Sequence, residues 1–160
     1  MAAPILGGRY QLLERIATGG QGEVFLAEDT RSGDRIAIKR ARNASEAAAR
    51  ELGSEFARVA SLDHPGIAGA VDFSPGGGSE PPFVVFERAR GRPSHELCAD
   101  AEPRTVLGWA AGVAETLDFL HQAGLLHGDL KPEHVFVDEH GRPQLIDLGL
   151  ARSPGELGGG

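Results

Sequence analysis

Residues 10–29 read Tyr10-Gln11-Leu12-Leu13-Glu14-Arg15-Ile16, then Ala17-Thr18-Gly19-Gly20-Gln21-Gly22, then Glu23-Val24-Phe25-Leu26-Ala27-Glu28-Asp29. The flanks are rich in apolar, aromatic and β-branched residues, and glycines crowd the centre, which predicts two strands joined at a glycine corner. The turn cluster Arg31-Ser32-Gly33-Asp34 leads to a third strand over 35–40. Connections this short join antiparallel strands, because a parallel crossover needs a dozen residues or more. A helix follows over 44–62, where Leu52, Phe56, Val59 and Leu62 recur at helical spacing before His64-Pro65-Gly66 stops it. Two more strands are expected over 67–73 and 83–87, joined by a flexible Gly- and Pro-containing stretch over 74–82. Residues 91–103 read as a linker with one helical turn. The clearest helix spans 105–123, with Val106, Trp109, Ala110, Val113, Ala114, Leu117 and Leu120 on one face and Gly124 at the C-cap position. Two short strands near 134–137 and 144–146 flank a turn over 138–142, and the Gly-rich end, 153–160, is expected to be structureless. The fold class is α+β: a five-stranded antiparallel sheet with one helix, then a mainly helical region with a small hairpin. There is no internal repeat.

Composition narrows the function. A chain of 160 residues has the length of one domain, and 41% hydrophobic with 24% charged residues is an ordinary globular balance. The net charge of −7, with no clustered positive stretch, argues against nucleic acid as the main partner. The one cysteine, Cys98, makes no intrachain disulfide. No apolar run approaches the roughly 20 residues that span a bilayer, and residues 1–6 are too short for a signal peptide. A soluble, cytoplasmic protein is expected. Of the 16 basic residues only Lys39 and Lys131 are lysine. This bias, with the many Ala and Gly residues, suggests an arginine-preferring, GC-rich bacterial genome. Positions that keep lysine in such a chain call for a compact ammonium on a flexible stem.

Three groups of residues carry chemistry. Glycines at the 19–22 corner let a backbone approach a phosphate and present bare N–H groups to it, although the same glycines also suit a plain hairpin turn. Lys39 ends the apolar strand Ile36-Ala37-Ile38, and Glu55 lies beside the core positions Leu52, Phe56 and Val59 of the next helix. A phosphate-binding ammonium held by a carboxylate is one reading of this pair, and two solvated surface charges are the other. The third group is His127-Gly128-Asp129-Leu130-Lys131-Pro132-Glu133-His134 with Ile146-Asp147-Leu148-Gly149. Carboxylates on adjacent loops can divide phosphoryl transfer, one accepting a hydroxyl proton and the other holding Mg²⁺ on nucleotide phosphates.

Taken together these motifs resemble the front part of a eukaryotic-like (Hanks-type) serine/threonine protein kinase, as found in bacteria. The glycine corner, Ile36-Ala37-Ile38-Lys39, Glu55 nine residues before His64-Pro65, Phe83-Val84-Val85-Phe86-Glu87, the 127–134 stretch and Asp147-Leu148-Gly149-Leu150-Ala151-Arg152 stand in that family's order. The resemblance implies one kinase domain over 8–160, with an N-lobe over about 8–88 and a hinge and partial C-lobe over about 89–152. It implies ATP as ligand, covered by the loop from Ala17 through Gly19, Gly20 and Gly22. Val24 and Ala37 would sandwich the adenine, Phe86 would act as gatekeeper, and Glu87 and Ala89 would offer hinge backbone groups. Lys39, held by Glu55, would contact the α- and β-phosphates. Asp129 would be the catalytic base, Lys131 its charge-neutralising partner and Asp147 the main Mg²⁺ ligand.

The departures from the pattern are specific. Ala17 replaces the first loop glycine, Leu148 the middle Phe of D-F-G, and Gly128 the Arg of H-R-D that reads an activation-loop phosphate. His134 replaces the Asn that binds a second Mg²⁺, and imidazole is a poor Mg²⁺ ligand, so one metal is expected rather than two. The sequence stops inside the activation segment, short of the A-P-E motif and the helices beyond it. A fragment with little or no activity alone is therefore expected, with an unknown protein substrate and room for a fused C-terminal effector domain. Gly128 and His134 also suit a pseudokinase-like ATP-binding regulatory module. The H-G-D order is found in small-molecule phosphotransferases too, but Lys131-Pro132 and Asp147-Leu148-Gly149 speak against them. The apolar face of the 105–123 helix is expected to lack its usual cover.

Overall fold

The computed structural model describes residues 4–20 and 22–153. They form two compact units: the described residues up to Ser61 with Gly69–Arg88, and Leu62–Ala68 with the residues from Ala89 onward.

The first unit is a six-stranded antiparallel sheet in the order β1-β2-β3-β4-β6-β5. The strands are β1 (Ile5–Leu6), β2 (Tyr10–Gly19), β3 (Gly22–Asp29), β4 (Arg35–Arg40), β5 (Ala70–Ser74) and β6 (Phe83–Glu87), with helix α1 (Glu46–Ala60) between β4 and β5. The strand period of two explains both faces. Ile36 and Ile38 of β4 pack with Phe83 and Val85 of β6, Ala27 of β3, and Tyr10 and Leu12 of β2 in one buried cluster. The residues in between point the other way: Val84 of β6 packs with Leu52 of α1 and Ala41, supported by Phe56, Phe73 and Phe86. Helix α1 starts where Ser45 accepts the Ala48 N–H, with Glu46 in the first turn and Arg58 in the last, both favourable to the helix dipole. Its Leu52, Glu55 and Val59 are buried on one stripe.

The sixth strand exceeds the five expected. Gly7 and Gly8 both take positive φ (53° and 63°) and reverse the chain, so that Ile5 pairs Gln11 and Leu6 pairs Tyr10. A two-residue strand is too short to show alternation. Its buried Leu6 and the Gly-Gly reversal are the only marks it leaves in the sequence. The start of β2 is then clamped: Arg9 donates from Nε and Nη2 to both oxygens of Asp29 (2.9 and 2.6 Å). That fork holds the Asp29 carboxyl down at about 2. Tyr10 donates its hydroxyl to Asp72 on β5.

The strand expected over 67–73 is corrected to Ala70–Ser74. Ile67 belongs to the second unit, where it bridges Leu145 in parallel, flanked by Ala68 N–H to Leu145 O (3.0 Å) and Leu145 N–H to Gly66 O (2.7 Å). The expected small hairpin is a three-stranded sheet, β7 (Arg92–Pro93), β8 (Val135–Val137) and β9 (Pro143–Leu145), with β8 central. Pro93 has no N–H, so its strand sits at the edge, and a proline in a polar stretch hides such a strand from the sequence. The expected linker over 91–103 thus contains β7 and the helical turn α2 (Ser94–Leu97). The helix α3 (Pro103–Gln122) begins with Pro at its first position and is capped by Ala123; Gly124, expected at the cap, stands one residue further on in the left-handed conformation, φ 74°. On its expected apolar face Leu120 is buried, Val106, Trp109, Val113 and Leu117 are half-buried and only Ala110 and Ala114 are exposed, so the face is partly covered rather than bare; Leu107, which is 69% exposed, lies outside it. The end expected to be structureless lies, apart from Ser153, outside the described residues.

Candidate active site

In the first unit the sheet register gathers several candidate residues. Directly opposed residues of an antiparallel pair share a face. Val24 opposes Lys39, Lys39 opposes Val84, and Ala37 opposes Phe86, so Val24, Ala37, Lys39, Val84 and Phe86 lie on one side of the sheet. That is the side on which Leu52 of α1 meets Val84. Glu55, one helical turn beyond Leu52, is therefore carried over Lys39. The Lys39 ammonium donates to both carboxylate oxygens of Glu55, at 3.1 and 2.9 Å. Both side chains are buried (9% and 3% exposed), which excludes the reading of two solvated charges.

The glycine corner divides by role. Ala17 opposes Val24 and Gly19 opposes Gly22 at the tip of the β2–β3 hairpin, and Gln21 lies outside the described residues. Gly22 has φ 124°, and a Cβ there would stand 2.3 Å from the Arg40 carbonyl oxygen. A side chain is impossible without displacing β4. At Gly19 and Gly20 an added Cβ meets nothing within 4 Å, so the protein's own packing does not demand glycine there. Beneath the corner, Glu23 is gripped by Arg40 (2.7 Å) and Arg15 (3.1 Å), which lowers its pKa, Arg40 foremost. A pocket of about 290 Å³ in this unit is lined by Gly20, Gly22, Lys39, Ser45, Glu51 and Glu55 among others. At the other end of the sheet, Glu87 donates its N–H to Gly69 O (2.8 Å) and accepts the Gly69 N–H on its carboxylate (3.2 Å). Ala89 opens the second unit.

In the second unit, Asp129, Lys131, His134 and Asp147 come together. The anchor is His127, a positioning residue whose role its place in the 127–134 stretch does not disclose. Its buried ring faces the Ile146 carbonyl through Nε2 (3.1 Å) and accepts the Asp129 N–H at Nδ1 (3.2 Å). A carbonyl only accepts, so Nε2 carries the proton and Nδ1 is bare, a neutral tautomer fixed from both sides. Burial is the first cause of its lowered pKa. One imidazole thus ties the loop bearing Asp129 to the residue just before Asp147. Around it, the Asp129 carboxylate lies 3.4 Å from the Lys131 ammonium. His134, in the 3₁₀ turn Pro132–His134 that precedes β8, is 8% exposed, with Nε2 3.4 Å from the Asp147 carboxylate.

Asp147 is the one described non-glycine residue at positive φ, 58°. Aspartate tolerates that region better than most residues, and strain of this kind gathers at functional sites. Leu148 beside it is 2% exposed, so leucine is fully packed at that position. Leu126 and Arg152 exchange both backbone hydrogen bonds (2.9 and 3.1 Å), drawing the segment after Asp147 against the loop before Asp129. In consequence Gly128, φ 81°, lies against Leu150, whose carbonyl oxygen would be 2.5 Å from a Cβ.

The family described as the protein kinase domain matches residues 10–156. The chain belongs to the protein kinase domain family. Its kinase-like α+β fold is the one expected from the motifs. A probable serine/threonine-protein kinase of Streptomyces coelicolor is 33% identical over 162 residues, which cover 96% of this chain and 24% of that protein. Serine/threonine-protein kinase pkn2 of Myxococcus xanthus is 31% identical, over 95% of this chain and 19% of its own length. PknA of Mycobacterium tuberculosis is 31% identical, over 92% of this chain and 36% of its own. The chain therefore spans about a fifth to a third of the curated relatives it matches. Kinase-domain chemistry uses ATP and a divalent cation in general. The donors in the second unit fit Mg²⁺ through carboxylate oxygen, from Asp147 and Asp129, whereas the His134 imidazole does not suit so hard an ion. Among the described residues, no helix is long and apolar enough to cross a membrane.

Proposed function

We propose that the protein carrying this sequence is a cytoplasmic serine/threonine protein kinase that transfers the γ-phosphoryl group of ATP to protein hydroxyls. The observation that supports this most is the pairing of chemistries: a buried Lys39–Glu55 ion pair in one unit, and in the other Asp129, with Lys131 beside it, tied through His127 to the residue before Asp147. Residues 8–88 are assigned as the N-lobe and 89–152 as the hinge and partial C-lobe.

In this reading the apolar positions Val24 and Ala37 hold the adenine, with Phe86 as gatekeeper and the backbone at Glu87 and Ala89 along the purine edge. Gly19 and Gly20, where no packing demands glycine, present N–H groups to phosphate, while Ala17 and Gly22 shape the hairpin. Lys39 places its ammonium on the α- and β-phosphates, and Glu55 prevents that side chain from leaving its position. Asp129 accepts the proton of the attacking hydroxyl as the new O–P bond forms and the bond to the ADP oxygen breaks. Lys131 neutralises charge beside it. Asp147 would hold a divalent cation, which when bound would neutralise charge on the phosphates.

The second reading, an ATP-binding regulatory module without transfer, is favoured by Gly128 and by His134, which puts an imidazole where the family pattern has an Mg²⁺-binding asparagine. Labelling of a generic protein acceptor from γ-labelled ATP decides between them in the protein that carries this segment. Metal-dependent labelling that falls at least 100-fold in Asp129→Asn is expected. ATP binding without labelling in either protein would sink the transferase reading and leave the regulatory one.

A further inference from the structure

The departure at His134 has a geometry of its own. His134 Nδ1 lies 2.8 Å from the backbone carbonyl of Asp129. A carbonyl oxygen has no proton to give, so Nδ1 carries the hydrogen and, in the neutral ring, Nε2 is left with a bare lone pair. That lone pair faces the Asp147 carboxylate across 3.4 Å, inside a side chain nine-tenths buried. In the neutral ring this is a lone pair facing a carboxylate, a contact that either a second ring proton or a metal cation between them relieves. The Asp129 carboxylate, 3.6 Å from Nδ1, adds a second negative charge, and donor atoms of all three residues lie within 4.8 Å of one another.

We propose that His134 Nε2 and the Asp147 carboxylate form a mixed nitrogen–oxygen site that selects a transition-metal dication, Mn²⁺, Co²⁺ or Zn²⁺, over Mg²⁺. The inference rests on the proposed function in assuming that Asp147 is the metal-bearing residue, and it names the ion. Three physical points carry it. The separation fits: two donors each roughly 2.1 Å from one ion and 3.4 Å apart subtend roughly 110°, within the range of tetrahedral and distorted octahedral coordination. The donor set fits as well, since imidazole suits first-row transition metals and Mg²⁺ holds to oxygen. Finally, the ring is already oriented for coordination, because its other nitrogen is anchored to a backbone carbonyl, the usual outer partner of a ligating histidine. Where the family's asparagine would offer an amide oxygen, this chain offers a nitrogen that discriminates between ions.

The test uses the 160-residue chain and Mn²⁺ itself. Bound Mn²⁺ is counted from the free-ion electron paramagnetic resonance signal, with Mg²⁺ as competitor, and its ligands are read from spin-echo modulation by ¹⁴N. The expected result is ¹⁴N modulation from one imidazole, and a preference for Mn²⁺ over Mg²⁺ that falls roughly tenfold or more in His134→Asn. Asp147→Asn should weaken both ions. The modulation is read on the unsubstituted chain, so the proposal stays open to refutation even where His134→Asn fails to fold. Mn²⁺ bound without ¹⁴N modulation, or with an unchanged preference in His134→Asn, overturns the histidine site and leaves the proposed function standing. No Mn²⁺ or Mg²⁺ bound at all overturns this inference together with the metal role of Asp147.

Discussion

Glu55→Leu is expected to destabilise the first unit by about 3–5 kcal/mol, the usual cost of breaking a buried ion pair by removing one member. The Lys39 and Glu55 side chains are 9% and 3% exposed and joined by two hydrogen bonds, so both partners have left water. Their attraction offsets that desolvation only while both are present. Replacing the two together, Lys39→Met with Glu55→Leu, exchanges the pair for apolar side chains of similar volume. They would lie against Leu52 and Val84, and most of the lost stability should return. Urea unfolding of the two variants and the parent measures both steps. A Glu55→Leu protein within 1 kcal/mol of the parent would mean the pair is not desolvated. A double variant as unstable as the single one would mean the pair is held for stability and not for its charge. Under the proposed function, a pair that apolar residues could replace is retained because the nucleotide needs the ammonium.

Gly128→Arg restores the arginine of the family's H-R-D pattern, yet the structure expects it to be harmful. At φ 81° any side chain is strained, and the Cβ would stand 2.5 Å from the Leu150 carbonyl oxygen. Left-handed backbone at a non-glycine residue costs on the order of 1–3 kcal/mol before the clash is relieved. Relief requires parting Leu150 from the loop, against the paired Leu126 and Arg152 hydrogen bonds. Gly128→Ala carries the same Cβ without the charge and should lose a similar amount. The thermal midpoints of the two variants therefore fall together. If Gly128→Arg alone were tolerated, the close approach of Leu150 would be wrong. The H-G-D order is thus built into the backbone of this chain, and a single substitution does not return it to the family pattern.

Much of this was legible in the sequence because the signals were local. Ile36, Ala37 and Ile38 marked the strand that ends at Lys39, although which face the ammonium takes came only from the sheet register. Leu52, Phe56 and Val59 defined the inner stripe of α1 closely enough to place Glu55 beside it. What the sequence hid was long-range or conformational. The pairing of Ile67 with Leu145, which takes residues 62–68 out of the first unit, spans 78 positions and leaves no periodic trace. The strand at Arg92–Pro93 is masked by its proline. The three glycines of the 19–22 corner look equivalent as letters, but only Gly22 is fixed by a neighbouring backbone. His134 reads as a mere loss of asparagine until its ring is seen anchored at Nδ1 and aimed at Asp147 through Nε2.

The central claim, that these residues bind nucleotide through Lys39, is tested most directly by thermal unfolding of the 160-residue chain with and without ATP and a divalent cation. A ligand that binds only the folded state adds about 2.7 kcal/mol at a free concentration 100 times its dissociation constant, and the midpoint must rise. That rise is expected in the parent chain and not in the double variant Lys39→Met, Glu55→Leu, whose cooperative unfolding should survive without the ammonium. An unmoved midpoint in the parent, or an equal rise in the double variant, would contradict it.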